Sequence, residues 1–284
     1  MDYLKEFRVD PGDKVRLSKL DPAYKGKHES EEAAKEETEH YRQKLSRQQL
    51  LLYAEHRHSV LIVLQALDAG GKDGTIKHVF SGVNPQGVRV VSFKAPTSIE
   101  LDHDFLWRVH PHAPGHGEIA IFNRSHYEDV LVPRVHKLID KATWTERYRN
   151  IRDFETLLAE SGAAILKFFL HISKQEQLQR FEQRLDDPAR NWKISESDYA
   201  ERPFWDDYVE AFEDSFQATS TREAPWFIIP SNHKWFRNLA VSQIVADTIE
   251  GLKLAAPKPT VNLADIRRKY HEAAKAEKNN KKKA

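Results

Sequence analysis

SVLIVLQALDAGGKDGTIKHVF, residues 59–80, is the stretch that decides the fold class. Its first eight residues are apolar at nearly every position, as in a parallel strand that is covered on both faces. Gly70, Gly71 and Gly74 follow with Lys72 among them, and the next residues, TIKHVF, have the pattern of a helix start. A buried strand, a glycine-rich loop and a helix in this order predict a loop that binds phosphate groups.

The loop departs from the strict phosphate-loop pattern G-x-x-x-x-G-K-[ST] at two positions. Ala66 stands where the first glycine belongs, and Asp73 stands where the hydroxyl belongs. The physical requirements are still met, because glycines allow positive φ and close approach, while successive amides and a helix N-terminus supply positive potential. The alternative is a glycine-rich turn with Lys72 in solvent. The residues expected to contact phosphate are Ala69, Gly70, Gly71, Lys72, Asp73, Gly74 and Thr75.

Asp68 precedes Lys72 by four residues. A carboxylate repels phosphate oxygens unless a cation lies between them, and Mg²⁺ is commonly held by one or two carboxylates together with substrate phosphates. The pattern therefore predicts Asp68 as a metal ligand and Mg²⁺ as the cofactor.

Strand character returns in four further segments, at residues 88–95, at the start of GEIAIFNRSHYEDV from residue 117, and at residues 163–173 and 225–230. Helical segments alternate with these strands, and capping-box signatures begin at Thr97, Thr143 and Ser173. This alternation predicts an α/β fold in which helices flank a parallel sheet of about five strands. Ligands of such sheets gather outside the carboxyl ends of the strands.

Three regions are expected along the chain. Residues 1–58 form an N-terminal extension whose long helix, within residues 30–58, packs on the core, and residues 59–255 form the core itself. Residues 256–284 form a basic tail, and its part from 267 to 283 carries eight Lys and Arg against two Glu. The tail is expected to be a solvated, frayed helix, with contact to a polyanion as the alternative.

Composition excludes several classes of protein. The chain has no cysteine, so a disulfide framework, a thiolate metal site and a cysteine nucleophile are excluded. A formal net charge of +1 argues against a nucleic-acid binder and requires that any polyanion site be a local patch. No apolar run approaches the roughly 18–20 residues that span a bilayer, and the N-terminal residues lack the pattern of a signal peptide. We therefore expect a cytoplasmic protein without a membrane partner.

Four blocks of the sequence together resemble the polyphosphate kinase 2 family, a group of P-loop kinases distantly akin to thymidylate kinase. The blocks are LQALDAGGKDGTIKHVF, FNRSHYEDVLVPRV, DDPARNWKIS and PWFIIPSNHKWFRNL. The resemblance reaches to about residue 254 and implies Mg²⁺-dependent, reversible phosphoryl transfer between inorganic polyphosphate and a nucleotide. It also implies a helical lid over about residues 180–205 and a homo-oligomer, either a dimer or a tetramer.

The second block carries the substrate prediction. Many family members have Asp-Arg where this chain has Asn123-Arg124, and NRSHYED resembles the branch that accepts both nucleoside mono- and diphosphates. By that resemblance Asn123, Arg124 and Glu128 hold the acceptor, an adenine or guanine nucleotide, and Asp129 restores charge beside the metal. The alternative for Glu128 and Asp129 is an ordinary first helical turn, where the macrodipole favours acids.

Cations outside the loop complete the predicted site. At the carboxyl end of a strand, the guanidinium of Arg124 can fork two phosphate oxygens and offset charge on the transferring group. Its alternative role is a surface ion pair. A cationic track for the polymer is expected from Lys77, Arg134 and Lys137, and the lid is expected to close through Arg184 and Lys193, with solvated charges or surface ion pairs as the alternative.

The predicted mechanism assigns catalysis to Asp68, Lys72 and Arg124, which position the reactants and neutralise charge. Two other functions use the same features. An ATP-dependent nucleoside monophosphate kinase would have the same loop and lid, and a non-catalytic polyanion-binding protein would use the loop and the basic tail.

Overall fold

A computed structural model describes residues 1–281 of the chain, with side chains through residue 278. The chain divides into two compact units, Met1–Leu254 and the segment that begins at Ala255. Lysines 281–283 of the predicted basic tail have side chains outside the described residues.

The first unit contains six strands in its described residues, β1 Arg8–Val9, β2 Ser59–Gln65, β3 Val88–Ser92, β4 Ile119–Asn123, β5 Ala163–His171 and β6 Trp226–Pro230. Its helices are α1 Tyr3–Glu6, α2 Glu31–Glu55, α3 Lys72–Val79, α4 Ser98–Leu101, α5 Glu128–Val135, α6 Lys141–Glu160, α7 Lys174–Asp186, α8 Glu196–Ala200, α9 Trp205–Thr219 and α10 Lys234–Gly251. The second unit contains α11 Leu263–Lys281.

The strands form one sheet in the order β1-β6-β5-β2-β4-β3. The five strands from β2 to β6 are parallel, which confirms the predicted α/β fold class. The two-residue β1 pairs antiparallel with β6 and was not predicted, because two residues are too short to show an alternating pattern. Leu64 pairs with Asn123 and with Phe168, so the carboxyl ends of β2, β4 and β5 lie side by side.

The central strand β2 is buried at all seven positions. Val60 and Ile62 pack into a core cluster shared with α2 and α10, whereas Leu61 and Val63 pack into a second cluster with α6 and α9. Successive side chains of a strand point to opposite faces of the sheet. Helices on both faces therefore explain why this stretch is apolar without alternation.

Two of the three predicted helix starts are confirmed. The side chains of Thr97 and Ser173 cap α4 and α7, each accepting a hydrogen bond from the amide of the residue three positions later. The predicted start at Thr143 is wrong, since α6 begins at Lys141 and Asp140 accepts from the amide of Thr143. Asp, like Thr, is a preferred capping residue, and here the earlier one caps the helix.

Helices long and apolar enough to cross a membrane are absent from the part of the chain that the structure describes.

Candidate active site

The loop between β2 and α3 has the backbone conformation of an anion cradle. Ala69 and Gly71 have positive φ angles of 59° and 102°. The first backbone hydrogen bond of α3 runs from Thr75 to the carbonyl of Gly71, and no side chain caps the helix. The amides of Lys72 and Asp73 therefore have no acceptor within the helix and can bind an anion.

Two glycines of the loop are required by close packing. A Cβ atom at Gly70 would lie 2.4 Å from the Cβ of Ala66, and one at Gly71 would lie 1.9 Å from Nη1 of Arg237. Gly71 also needs its positive φ. Any side chain at either position would displace the loop.

Arg180 of α7 forms hydrogen bonds with the backbone of the loop. Its Nη1 donates to the carbonyls of Ala69 at 2.9 Å and Gly70 at 3.2 Å, while its Nη2 donates to the carbonyl of Ser231 at 2.5 Å. In the same helix, Nε2 of Gln177 donates to the carbonyl of Asp68 at 3.0 Å. The loop is thus tied to the first helix of the predicted lid region.

Lys72 is half-buried at the end of β2. Its Nζ donates to the carbonyl of Ala66 at 3.2 Å, and no ion pair joins it to a carboxylate among residues 1–278. Burial lowers the pKa of Lys72, and the neighbouring Arg124 guanidinium lowers it further. The ammonium is therefore free to bind an anion that enters the loop.

Arg124 and Asp68 meet across the carboxyl ends of β4 and β2. Nη2 of Arg124 lies 3.3 Å from Oδ1 of Asp68, and both side chains are partly exposed. Arg124 has a φ of 61°, and its amide donates to the carbonyl of Leu64 at 3.1 Å. A residue other than glycine in this left-handed region is uncommon and is typical of functional sites.

Two cavities open on this pair. The first, about 880 Å³, has an apolar wall that includes Phe105, Leu131 and Ile139, together with polar groups such as Glu128 and Arg202. The second, about 990 Å³, contains the loop and has an excess of cations. The cations of the second cavity are Lys72, Lys77, Lys94, Arg124, Arg180, Arg184, Arg190, Lys193, Lys234 and Arg237, against Glu31, Asp68, Asp73, Glu176 and Asp198.

The residues common to both cavities lie where they meet. These residues are Asp68, Lys94, Arg124, Lys193 and Asp198. A group bound in one cavity can therefore reach a group bound in the other beside Asp68 and Arg124.

The predicted lid region, residues 180–205, contacts the loop through Lys193. Its Nζ lies 3.3 Å from Oδ2 of Asp73, and its carbonyl accepts from Nη1 of Arg184 at 3.1 Å. Burial alone raises the pKa of Asp73, but hydrogen bonds from Asn123 and Lys193 outweigh burial and hold it below its usual value. Arg184 and Lys193 thus lie at the second cavity, as does Lys77.

Asn123 and Glu128, which were both predicted to contact the nucleotide, line different cavities. Glu128 begins α5 and lines the first cavity, where burial raises its pKa despite the nearby Arg124. Asn123 lines the second cavity, and its Nδ2 donates to Oδ1 of Asp73 at 2.8 Å. Only Glu128 and Arg124 of the three predicted nucleotide contacts line the first cavity.

Other predicted residues are engaged elsewhere. Thr75 is buried, with its hydroxyl bonded to the carbonyl of Gly71 at 3.1 Å. Arg134 lies outside both cavities, where it pairs with Asp214 at 2.7 Å and with Glu210 at 3.1 Å. Arg134 therefore joins α5 to α9, so its assignment to the cationic track is a misreading of a structural ion pair.

Asp129 pairs with an arginine at the first cavity, whereas Lys137 lies outside both cavities. Oδ2 of Asp129 accepts from Nη2 of Arg108 at 2.8 Å, and the carboxylate is nearly buried. Burial raises the pKa of Asp129 although Arg108 opposes this. Lys137 is exposed and lines neither cavity. Asp129 lines the first cavity, as Asp68 does, so its place beside a metal stays a prediction.

Sequence reasoning missed several cations that line the two cavities, among them Lys94, Arg108, Arg180 and Arg237. Lys94 and Arg108 lie in segments without regular structure, where no local pattern marks them. Arg237 had a usable signal, since it is a charged residue near the start of a largely apolar helix. Such a residue is rarely buried without a partner or a function.

Comparisons with known proteins indicate one family. A family model described as polyphosphate kinase 2 matches residues 28–257. The AMP/ADP-polyphosphate phosphotransferase of Meiothermus ruber is 52% identical over 260 residues, which cover 90% of this chain and 96% of that protein. The ADP-polyphosphate phosphotransferase of Rhodopseudomonas palustris is 46% identical over 272 residues, which cover 90% and 93%. The crystal structure of polyphosphate kinase 2 from Arthrobacter aurescens TC1 has a TM-score of 0.92 at 40% identity and covers 96% of this chain and 97% of that one.

Proposed function

The chain belongs to the polyphosphate kinase 2 family, and from this premise we propose that both AMP and ADP serve as acceptors, so that successive turnovers lead from AMP to ATP. Phosphoryl transfer between inorganic polyphosphate and nucleotides is the reaction, and the protein is a polyphosphate-dependent nucleotide kinase. The observation that carries the proposal is the pair of cavities that meet at Asp68 and Arg124.

The two cavities suit the two substrates. Polyphosphate, a linear polyanion, fits the second cavity, where ten cations face five acids. The nucleotide fits the first cavity, because an apolar wall that includes Phe105, Leu131 and Ile139 can cover a base while Arg124 and Arg202 reach its phosphates. The acceptor phosphate then lies at the boundary, in line with the end of the polymer.

The chemistry requires little of the protein beyond placement and charge. A terminal phosphate oxygen of the nucleotide forms a bond to the last phosphorus of polyphosphate, and the bond from that phosphorus to the bridging oxygen breaks. The shortened polymer keeps the electron pair as an anion. The attacking oxygen is already anionic, so no strong base is needed. Lys72 and Arg124 offset the charge on the transferring group.

Asp68 is the residue that would hold Mg²⁺. Its carboxylate lines both cavities and has Arg124, at 3.3 Å, as its one ion-pair partner among residues 1–278, which leaves oxygen lone pairs free toward the boundary. Within that range no group of three His, Asp or Glu side chains converges. This donor set fits Mg²⁺, which takes one or two carboxylates and completes its shell with phosphates and water. When bound, Mg²⁺ neutralises phosphate charge.

Lid closure protects the transfer from water. Lys193 contacts Asp73 of the loop and lines both cavities, so the lid covers their boundary. Water that reached the terminal phosphorus would compete with the nucleotide as acceptor. We assign this exclusion to the segment that includes Arg184 and Lys193.

An acceptor panel tests the proposal. Purified protein is mixed with long-chain polyphosphate and AMP, ADP, GMP or GDP, with Mg²⁺ or with EDTA, and products are separated by chromatography. We expect ADP and ATP from AMP, ATP from ADP, and no product with EDTA. Turnover of ADP but not AMP would contradict the proposed acceptor range. In a parallel arm, transfer to AMP from ATP but not from polyphosphate would favour the monophosphate kinase.

A further inference from the structure

Arg237 is a buried cation near the start of α10, a helix whose buried residues are mostly apolar. Its side chain is 2% exposed, and its neighbours in α10, including Phe236, Leu239 and Ala240, are fully buried. A buried guanidinium is costly unless its charge and its five donors are satisfied. The partners of Arg237 are therefore informative.

The guanidinium lies directly against the phosphate loop. Its Nη1 occupies the space that a Cβ at Gly71 would fill, at 1.9 Å, and its Nη2 lies 3.2 Å from the corresponding position at Gly74. Arg237 also lines the second cavity together with these glycines. The absence of side chains at Gly71 and Gly74 thus lets the guanidinium of Arg237 reach the loop.

Within residues 1–278, the only hydrogen-bond acceptor for the guanidinium of Arg237 is Oδ1 of Asn238. Nε and Nη2 share this oxygen at 3.2 Å and 2.8 Å, and no carboxylate pairs with the guanidinium. Burial lowers the pKa of Arg237 to about 9, with a contribution from Arg180. The protein thus leaves a positive charge and several N–H groups unsatisfied beside an anion cradle.

Arg180 provides the contrast within the same cavity. It is 5% exposed, pairs with Glu176 at 2.7 Å and donates to four backbone carbonyls. Its charge and donors are therefore satisfied by the protein alone. The contacts of Arg180 are those of a residue that stabilises the fold, whereas Arg237 lacks a carboxylate partner and backbone acceptors in the part of the chain that the structure describes.

We propose that Arg237 is a polyphosphate-binding residue, whose Nη1 and Nη2 reach between Gly71 and Gly74 to hold a phosphate group in the second cavity. The inference rests on the proposed function, because it takes the polymer to occupy that cavity. The anion supplies the missing counter-charge and the missing acceptors. Without it, the buried cation lowers the stability of the free protein, which is a common cost of a preorganised binding site.

The test replaces each arginine with methionine, which keeps the apolar stem and removes the charge. Arg237→Met is expected to raise the KM for polyphosphate about 10- to 100-fold, because one or two charge-assisted hydrogen bonds are lost. The KM for ADP is expected to stay unchanged. Its melting temperature without polyphosphate is expected to equal or exceed that of the wild type by a few degrees. Arg180→Met is expected to lower the melting temperature, because it strands four carbonyls and Glu176.

Arg237→Lys keeps a charge but not the planar fork, and is expected to raise the KM for polyphosphate by less than the methionine variant. Tripolyphosphate is the binding probe, and the rise in melting temperature that it gives the wild type is expected to shrink in Arg237→Met.

Two results would overturn the inference. One is an unchanged KM for polyphosphate in Arg237→Met while the wild type turns over normally. The other is a lowered melting temperature of both Arg237 variants without polyphosphate, as expected for Arg180→Met, since that would show that Arg237 stabilises the fold. A wild type that transfers nothing from polyphosphate would instead contradict the proposed function.

Discussion

Arg124 combines an uncommon backbone with an exposed charge at the point where the two cavities meet. Its φ of 61° aims the side chain at Asp68 rather than along the strand. Lysine is a poor substitute for a guanidinium that binds two phosphate oxygens at once, because its ammonium is a single point of charge. The residue type, not only the charge, is therefore expected to matter.

Arg124→Lys is expected to lower kcat about 100-fold or more, because a guanidinium on the transferring group stabilises the transition state. Melting temperature is expected to change little, since the side chain is partly exposed. Steady-state kinetics with ADP and polyphosphate measure the effect. Arg149→Lys is the matched control, because Arg149 forms an exposed pair with Glu146 on α6. A kcat within twofold of the wild type would remove Arg124 from the mechanism.

At the scale of elements, the predicted lid region contacts the loop through an ion pair. Lys193 pairs with Asp73 at 3.3 Å, and both side chains are substantially exposed. An exposed pair contributes little to stability. Its position at the boundary of the cavities points to a role in closure instead.

Lys193→Ala is expected to raise the release of inorganic phosphate relative to nucleotide product, because a loosened lid admits water to the terminal phosphorus. A coupled phosphate assay run beside nucleotide chromatography gives the ratio. Glu182→Ala serves as the control, since Glu182 is exposed on α7 and lines neither cavity. An identical ratio in the wild type and both variants would argue that Lys193 has no part in excluding water.

Behind the site, a buried ion pair joins β5 to α6. Nζ of Lys167 lies 2.6 Å from Oε2 of Glu155 and also donates a hydrogen bond to the carbonyl of Thr219 in α9. The side chains of Lys167 and Glu155 are both almost fully buried. Lys167→Ala is expected to lower the free energy of unfolding by about 3–5 kcal/mol, because it leaves the buried carboxylate of Glu155 without its ammonium partner. Urea denaturation followed by circular dichroism measures the change, and a loss below about 1 kcal/mol would show that water replaces the ammonium.

The same pair predicts an acid dependence of stability. Burial alone raises the pKa of Glu155, but Lys167 and His126 outweigh burial and hold the pKa below its usual value. A carboxyl whose pKa is lowered by folding contributes stability above its ordinary pKa of about 4.3, and that contribution is lost as pH falls through the lowered value. Urea midpoints between pH 3 and pH 7 are expected to fall more steeply for the wild type than for a Glu155→Leu, Lys167→Met double variant. Parallel slopes would contradict the prediction.

At the scale of the whole molecule, charge is divided unevenly between the two compact units. Of 44 Lys and Arg and 43 Asp and Glu in the chain, nine basic and three acidic residues lie in residues 255–284. The first unit is therefore net negative, and its cationic cavity is a local feature. The family model ends at residue 257, close to where the first unit ends.

A chain that ends at Pro257 is expected to retain kcat, both KM values and melting temperature, because both cavities are lined by residues of the first unit alone. The variant is also expected to bind an anion exchanger more tightly than the full chain. Kinetics at 50 mM and 200 mM salt provide the measurement. A large rise in the KM for long-chain polyphosphate, confined to low salt, would instead assign the tail to the polymer.

The sequence by itself determined the elements that depend on local patterns. An apolar run, three glycines and a lysine specify a buried strand, a loop and a helix, because φ freedom and side-chain period are properties of neighbouring residues. Four blocks of sequence were enough to indicate the family. Asp68, Lys72 and Arg124 were predicted as one site because they follow strand ends, and parallel strands bring those ends together.

Only the tertiary structure decided which charged side chains face the site. Arg134 was predicted to bind the polymer, yet it pairs with Asp214 of α9 and lines neither cavity. Arg237 lies far from the loop in sequence and reaches it because α10 packs beside α3. The partner of a long side chain depends on how distant elements dock, and no local pattern encodes that docking.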